Sequence, residues 1–208
     1  MGLASLLFKD PAAFMLLAVP LLYSVILHEV SHGWVAYFFG DDTAKRSGRL
    51  SLNPLVHLDP MGTLALFLVG FGWAKPVPIA YSNLRNFRVG LVCVSLAGCV
   101  TNIAVAAVSI LLLQFHAVTA NPAVTMVLLV LTKINIILGA FNLIPIPPLD
   151  GSRILYGILP ERAQGALAKI EPYGILIIFA LLFTRMLDPI IMATQNAILV
   201  LIRFMLGM

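Results

Sequence analysis

The run from Pro11 to Phe39 constrains this chain more than any other feature. It is built largely from Leu, Val, Ala and Phe, its one formal charge is Glu29, and that charge stands between His28 and a second histidine, His32. Wholly helical, the run is about 43 Å long, more than the roughly 30 Å hydrocarbon core of a bilayer. The 208 residues are 61% hydrophobic and 11% charged, against about 25% charged in an average globular domain. A soluble fold has too little polar surface at this composition. The chain reads as an all-α polytopic membrane protein of about five transmembrane helices plus a re-entrant or β-hairpin segment, forming a single membrane-embedded domain over residues 1–208.

His28-Glu29-Val30-Ser31-His32 is an HExxH pattern. Residues four apart on a helix share a face, so both imidazoles reach one metal ion with a carboxylate beside them. Neutral imidazole suits zinc, which lowers the pKa of a bound water to about 7, and Glu29 is placed to take that proton. Ionisable groups inside an apolar span are costly and mark function by default. A plainer reading, a His–Glu pair tying two helices together, is less favoured in a span that otherwise excludes charge. From a helix end near Gly40, His32 lies about 12 Å and His28 about 18 Å inward, submerged but toward the end that meets Asp41, Asp42, Lys45, Arg46 and Arg49.

Residues 41–60 read as a polar loop with turn pairs at Asn53-Pro54 and Asp59-Pro60, and its His57 reads as solvent-exposed. The apolar stretch 61–72 is short for a crossing. Trp73-Ala74-Lys75-Pro76-Val77-Pro78-Ile79 follows, and its alternating prolines exclude a regular helix and imply extended chain or an edge strand. Residues 61–81 are therefore expected to be re-entrant or interfacial, irregular backbone that at membrane depth must line a cavity or be buried in protein.

Further spans are expected over 89–115 and 122–144, then 172–187 and 189–206, with a polar connection over 152–171. His116, in the link between the second and third spans, reads as a surface residue. Asn102 reads as an ordinary interhelical hydrogen-bonding residue, and Lys133 has no evident partner. Cys93 and Cys99 are about 9 Å apart on a helix, beyond the roughly 7 Å limit for a disulfide, and read as packing residues. No cleavable signal peptide is expected at the start of the chain.

The 13 Lys and Arg exceed the 9 Asp and Glu by four, which in a membrane protein is a topology signal. No basic patch interleaved with aromatics points to nucleic acid. If 61–72 does not cross, Lys45, Arg46, Arg49, Lys75, Arg85, Arg88, Arg153, Arg162 and Lys169 share one face, which the positive-inside rule makes cytoplasmic. The end of the HExxH helix, the proline-rich segment and Asp150 then lie on that side.

A catalytic zinc needs three protein ligands and an open position. The extension HExxHxxGxxH fails, because Val35 and Phe38 stand where its glycine and third histidine belong. Among the downstream acids, Asp150 is the one joined to an apolar span by broken backbone, in Asn142-Leu143-Ile144-Pro145-Ile146-Pro147-Pro148-Leu149-Asp150-Gly151.

With HExxH at 28–32, Trp73 to Pro78, and Asn142 to Gly151 in this order, the chain closely resembles the site-2 protease family of intramembrane zinc metalloproteases. That resemblance implies one zinc per chain on His28, His32 and Asp150, with Glu29 as general base and acid. It implies that Asn142 holds substrate or stabilises the oxyanion, and that the segment with Trp73, Lys75, Pro76, Val77 and Pro78 clamps an extended substrate by strand addition. Many members have proline where Cys99 stands. The chain resembles a minimal, core-only member without a PDZ or other regulatory domain.

The expected activity is zinc-dependent endoproteolysis of a transmembrane or membrane-associated protein near the cytoplasmic side of a multi-pass cell membrane, the bacterial inner membrane being the expected one. A rival from another class is a membrane metal carrier or an inactive metal-binding protein, since intramembrane histidines and carboxylates also line ion pathways. A pathway needs polar groups along a full crossing, whereas these cluster at one depth.

Overall fold

The computed structural model describes residues 3–69 and 74–208. In chain order the helices are α1 (Leu3–Lys9), α2 (Pro11–Phe38), α3 (Thr43–Arg46), α4 (Pro60–Val69), α5 (Phe87–Leu112), α6 (His116–Thr119), α7 (Pro122–Asn142), α8 (Asp150–Ile158), α9 (Glu161–Ile170), α10 (Gly174–Phe183) and α11 (Asp188–Leu206). Five helical stretches are long and apolar enough to cross a membrane: α2, α5, α7, the run Glu161–Phe183, and α11.

Local chemistry sets their ends. α2 opens with Pro11 in its first turn, and the Asp10 carboxylate accepts the Ala13 N–H at 2.9 Å, satisfying a donor that helix geometry leaves unpaired. α7 repeats the device: Pro122 follows Asn121, whose side-chain oxygen accepts from the Ala123 and Val124 amides. Past α2, Gly40 takes a φ of +104°, a conformation open to glycine.

α5 is the central element, packing against α2, α7 and α8. Its buried face includes Gly90, Ala97, Gly98, Ala106 and Ala107, small residues that let neighbouring backbones approach closely in the absence of a hydrophobic drive between helices. Ala106 and Ala107 pack with Ile136 and Ala140 of α7 and with Ile198 and Ile202 of α11. A second cluster, Ile144, Leu149, Ile178 and Leu187, packs the chain leading into Asp150 against α10 and the residues just after it. On the outside, α10 and α11 expose Leu176, Phe183 and Phe204, a surface suited to hydrocarbon.

Three expectations change. The expected polar connection 152–171 is helical: α8 and α9 occupy it, and the short 3₁₀ turn Glu171–Tyr173 carries α9 into α10. Pro172 sits in that turn, where its missing N–H costs nothing, so the apolar helical run begins at Glu161 rather than at 172. His57 is completely buried, its Nε2 2.7 Å from the Ser51 carbonyl. The loop folds back on itself instead of projecting into solvent. Within 61–81, α4 ends at Val69 and the described residues form no strand, only an isolated antiparallel bridge between Leu58 and Ala74; Trp73 lies outside the described residues. Cys99 is buried, Cys93 is half-buried, and neither is in a disulfide.

Candidate metal centre

One turn of α2 separates His28 from His32, and their Nε2 atoms are 3.0 Å apart. Asp150, the first residue of α8, brings Oδ2 to 3.0 Å from His28 Nε2 and 3.2 Å from His32 Nε2. Among the described residues this is the group of His, Cys, Asp and Glu side chains close enough to hold a metal ion. A tetrahedral zinc with ligands at about 2.0–2.2 Å separates adjacent donors by about 3.3 Å, so the triangle matches one face of such a tetrahedron.

The opposite ring nitrogens fix the tautomers. His32 Nδ1 is 2.6 Å from the Val94 carbonyl oxygen, which only accepts, so Nδ1 carries the hydrogen and Nε2 of the neutral ring presents a lone pair. His28 Nδ1 makes the same 2.6 Å contact with Asn102 Oδ1. Two imidazole lone pairs and a carboxylate oxygen then converge at one buried point, and no donor reaches Asp150 Oδ2. Such a convergence is costly without a cation. The donor set, two neutral imidazoles and a carboxylate, fits zinc.

Glycines allow the pieces to meet. A Cβ on Gly98 would stand 2.5 Å from His28 Nε2, so the ring lies directly on the backbone of α5. Val94, Gly98 and Asn102, four residues apart, form the face of α5 that receives both histidines. α7 stops at Asn142, and the chain turns through the proline-rich stretch, with its cis Pro147-Pro148 bond, into α8. A Cβ on Gly151 would come 2.5 Å from the Ile144 carbonyl oxygen. Aspartate at 150 therefore depends on glycine at 151 for its close approach to the end of α7.

Glu29 faces the extended segment 74–80, and its Oε2 accepts the Val77 N–H at 2.9 Å. The segment is held from several sides. Lys75 N–H donates to the His57 carbonyl at 2.8 Å, Arg49 Nη2 donates to the carbonyls of Lys75 at 2.5 Å and Pro76 at 3.2 Å, and Ala80 N–H donates to Asp41 Oδ2 at 2.8 Å. Asp41 also accepts from Thr43 and from Asn83 Nδ2. Burial pushes its carboxyl upward, but these hydrogen bonds outweigh it and hold the pKa below the usual carboxylate value. Lys75 and Pro76 are exposed, Pro78 is half-buried, and Val77 is buried. Asn142 turns its amide back to the Leu138 carbonyl at 3.1 Å.

Sequence reasoning missed Asp41 and Arg49 as anchors of this segment and Asn135 as a neighbour of the site. Asp41-Asp42-Thr43 does carry the signature of a carboxylate capping a turn, though not what else that carboxylate holds.

The family model for peptidase family M50 matches residues 114–185, a stretch that includes Asp150 and not the HExxH helix. "Putative zinc metalloprotease YwhC" of Bacillus subtilis (strain 168) is 37% identical over 194 residues, covering 88% of this chain and 89% of that protein. "Putative zinc metalloprotease Rip2" of Mycolicibacterium smegmatis is 33% identical over 183 residues, 84% of this chain and 69% of that protein. A zinc metalloprotease of Methanocaldococcus jannaschii is 30% identical over 146 residues, 70% of this chain and 35% of that protein. No solved structure matches the chain.

Proposed function

Because the chain belongs to peptidase family M50, the site-2 protease family, and is a zinc metalloprotease, we propose that it is an intramembrane endopeptidase that cuts transmembrane or membrane-associated proteins near the cytoplasmic side. The observation that carries this reading is the buried meeting of His28, His32 and Asp150 beside Glu29, among helices apolar enough to cross a bilayer. In this reading those three residues hold the zinc, which supplies Lewis acidity that brings water toward ionisation near pH 7.

Glu29 moves the protons. The Val77 N–H holds Oε2 and fixes the direction of the carboxylate, and the other oxygen takes a proton from the attacking water and returns it to the leaving amine. Asn142, at the end of α7, releases its own-helix hydrogen bond and donates to the developing oxyanion. Residues 73–79 receive the substrate as an added strand. Supporting this, among the described residues the Ile79 N–H and the carbonyls of Val77 and Ile79 take no hydrogen bond. A substrate helix hides its amides and must unwind to reach this edge.

Purified parent, Glu29→Gln and Asp150→Ala proteins test the assignment. Glu29→Gln is expected to retain one zinc per chain and lose cleavage by about 10²- to 10⁴-fold or more, and Asp150→Ala to lose zinc itself. Unchanged zinc affinity in Asp150→Ala contradicts the ligand set, and unimpaired cleavage by Glu29→Gln contradicts the mechanism.

A further inference from the structure

Behind His28 a chain of buried amides crosses three helices. His28 Nδ1 meets Asn102 Oδ1 at 2.6 Å, Asn102 Nδ2 donates to Asn135 Oδ1 at 2.8 Å, and Asn135 Nδ2 donates to Ser24 Oγ at 2.8 Å and to the Leu131 carbonyl at 2.9 Å. Asn102 and Asn135 are completely buried and Ser24 is nearly so. The direction of the chain is set at its far end. A backbone carbonyl has no hydrogen to give, so Asn135 must present its NH₂ to Leu131 and its oxygen to Asn102. Asn102 must then give its NH₂ to Asn135 and turn its oxygen to His28, which must carry its hydrogen on Nδ1.

We propose that Asn135, seated by Ser24 and the Leu131 carbonyl, is a positioning residue that locks His28 through Asn102 into the tautomer whose Nε2 lone pair points at Asp150 and His32. This rests on the metal-site reading above and extends it to Asn135, whose hydrogen bonds go to Asn102, Ser24 and the Leu131 carbonyl rather than to a metal ligand. An amide able to flip would satisfy His28 equally well as donor or acceptor. In the flipped state Nε2 carries the hydrogen and is lost as a ligand. His32 needs no such device, because its Nδ1 faces a carbonyl that cannot flip.

That difference supplies an internal control. In zinc-free protein the ¹⁵N resonances of both rings report which nitrogen carries the hydrogen. The parent is expected to show Nδ1–H at both. Asn135→Leu frees the Asn102 amide, so His28 is expected to become a mixture while His32 stays Nδ1–H, and zinc affinity to fall by about 10- to 100-fold, as for other residues behind a ligand. Asn135→Asp still offers Asn102 an acceptor and is expected to keep the parent's His28 signal. Asn135→Ala removes the amide with less steric change and is expected to follow Asn135→Leu, which keeps the test open should the leucine variant not fold. The proposal is overturned if His28 remains Nδ1–H in both apolar variants, or if His28 and His32 shift alike. The zinc-free resonances decide this even if the parent fails to bind zinc, a result that would count against the metal-site reading alone.

Discussion

His28 is confined on two sides: Gly98 lies under its ring and Asn102 holds Nδ1. A methyl group added at 98 has no room without moving the imidazole, so Gly98→Ala is expected to weaken zinc binding by at least the roughly 10- to 100-fold seen when residues behind a ligand are lost. Gly151→Ala acts on the third ligand, because its Cβ would press on the Ile144 carbonyl and push Asp150 away from the histidines. Zinc competition against a chelator of known affinity measures both, and parental affinity in either variant contradicts the close approaches described. His28, Glu29, His32 and Asp150 were legible in the sequence because two local signals carry them: helical spacing of four, and proline-broken backbone before an acid. Ser24 and Asn135 were not, because 111 residues separate them and nothing local to either shows that they bond. Asn102 reads from the sequence as an interhelical hydrogen-bonding residue, but nothing local to it points to His28, its partner 74 residues away.

At the scale of elements, the extended segment 74–80 joins the site to the loop before it. Its irregularity was readable from Pro76 and Pro78, but its anchors come from Asp41, Arg49 and His57, residues that look like ordinary loop polarity until the fold buries them. Val77→Pro removes the N–H on Glu29, whereas Val77→Ala keeps it and shortens only the side chain. Cleavage is expected to fall far more in Val77→Pro than in Val77→Ala, with zinc content unchanged in both; equal turnover in the two variants contradicts a role for this hydrogen bond. Asp41 gives the segment a pH dependence. Its folded pKa lies below the unfolded value of about 3.9, so the stabilisation it provides is complete above that value and is lost as pH falls through the lowered folded pKa. The protection factor for hydrogen exchange at the Ala80 amide is expected to fall on acidification through the Asp41 transition, and Asp41→Asn to flatten that dependence; identical profiles would contradict the anchoring role.

For the whole molecule, apolar composition and run length made the five long helices legible, while the course of residues 152–171 was not, since amphipathic α8 and α9 read as a polar connection. What the assembled helices do for chemistry is to surround two imidazoles and a carboxylate with apolar surface while leaving Glu29 against an extended segment. A carrier and a protease use such groups differently, one moving the ion and the other keeping it. The most direct measurement reconstitutes the parent and Glu29→Gln proteins in lipid vesicles with a model transmembrane substrate and follows fragment formation and zinc uptake together. Zinc-dependent cleavage by the parent, its loss in Glu29→Gln with zinc retained, and no zinc flux in either is the predicted result; zinc flux that depends on His28 and His32, without cleavage, would contradict the account.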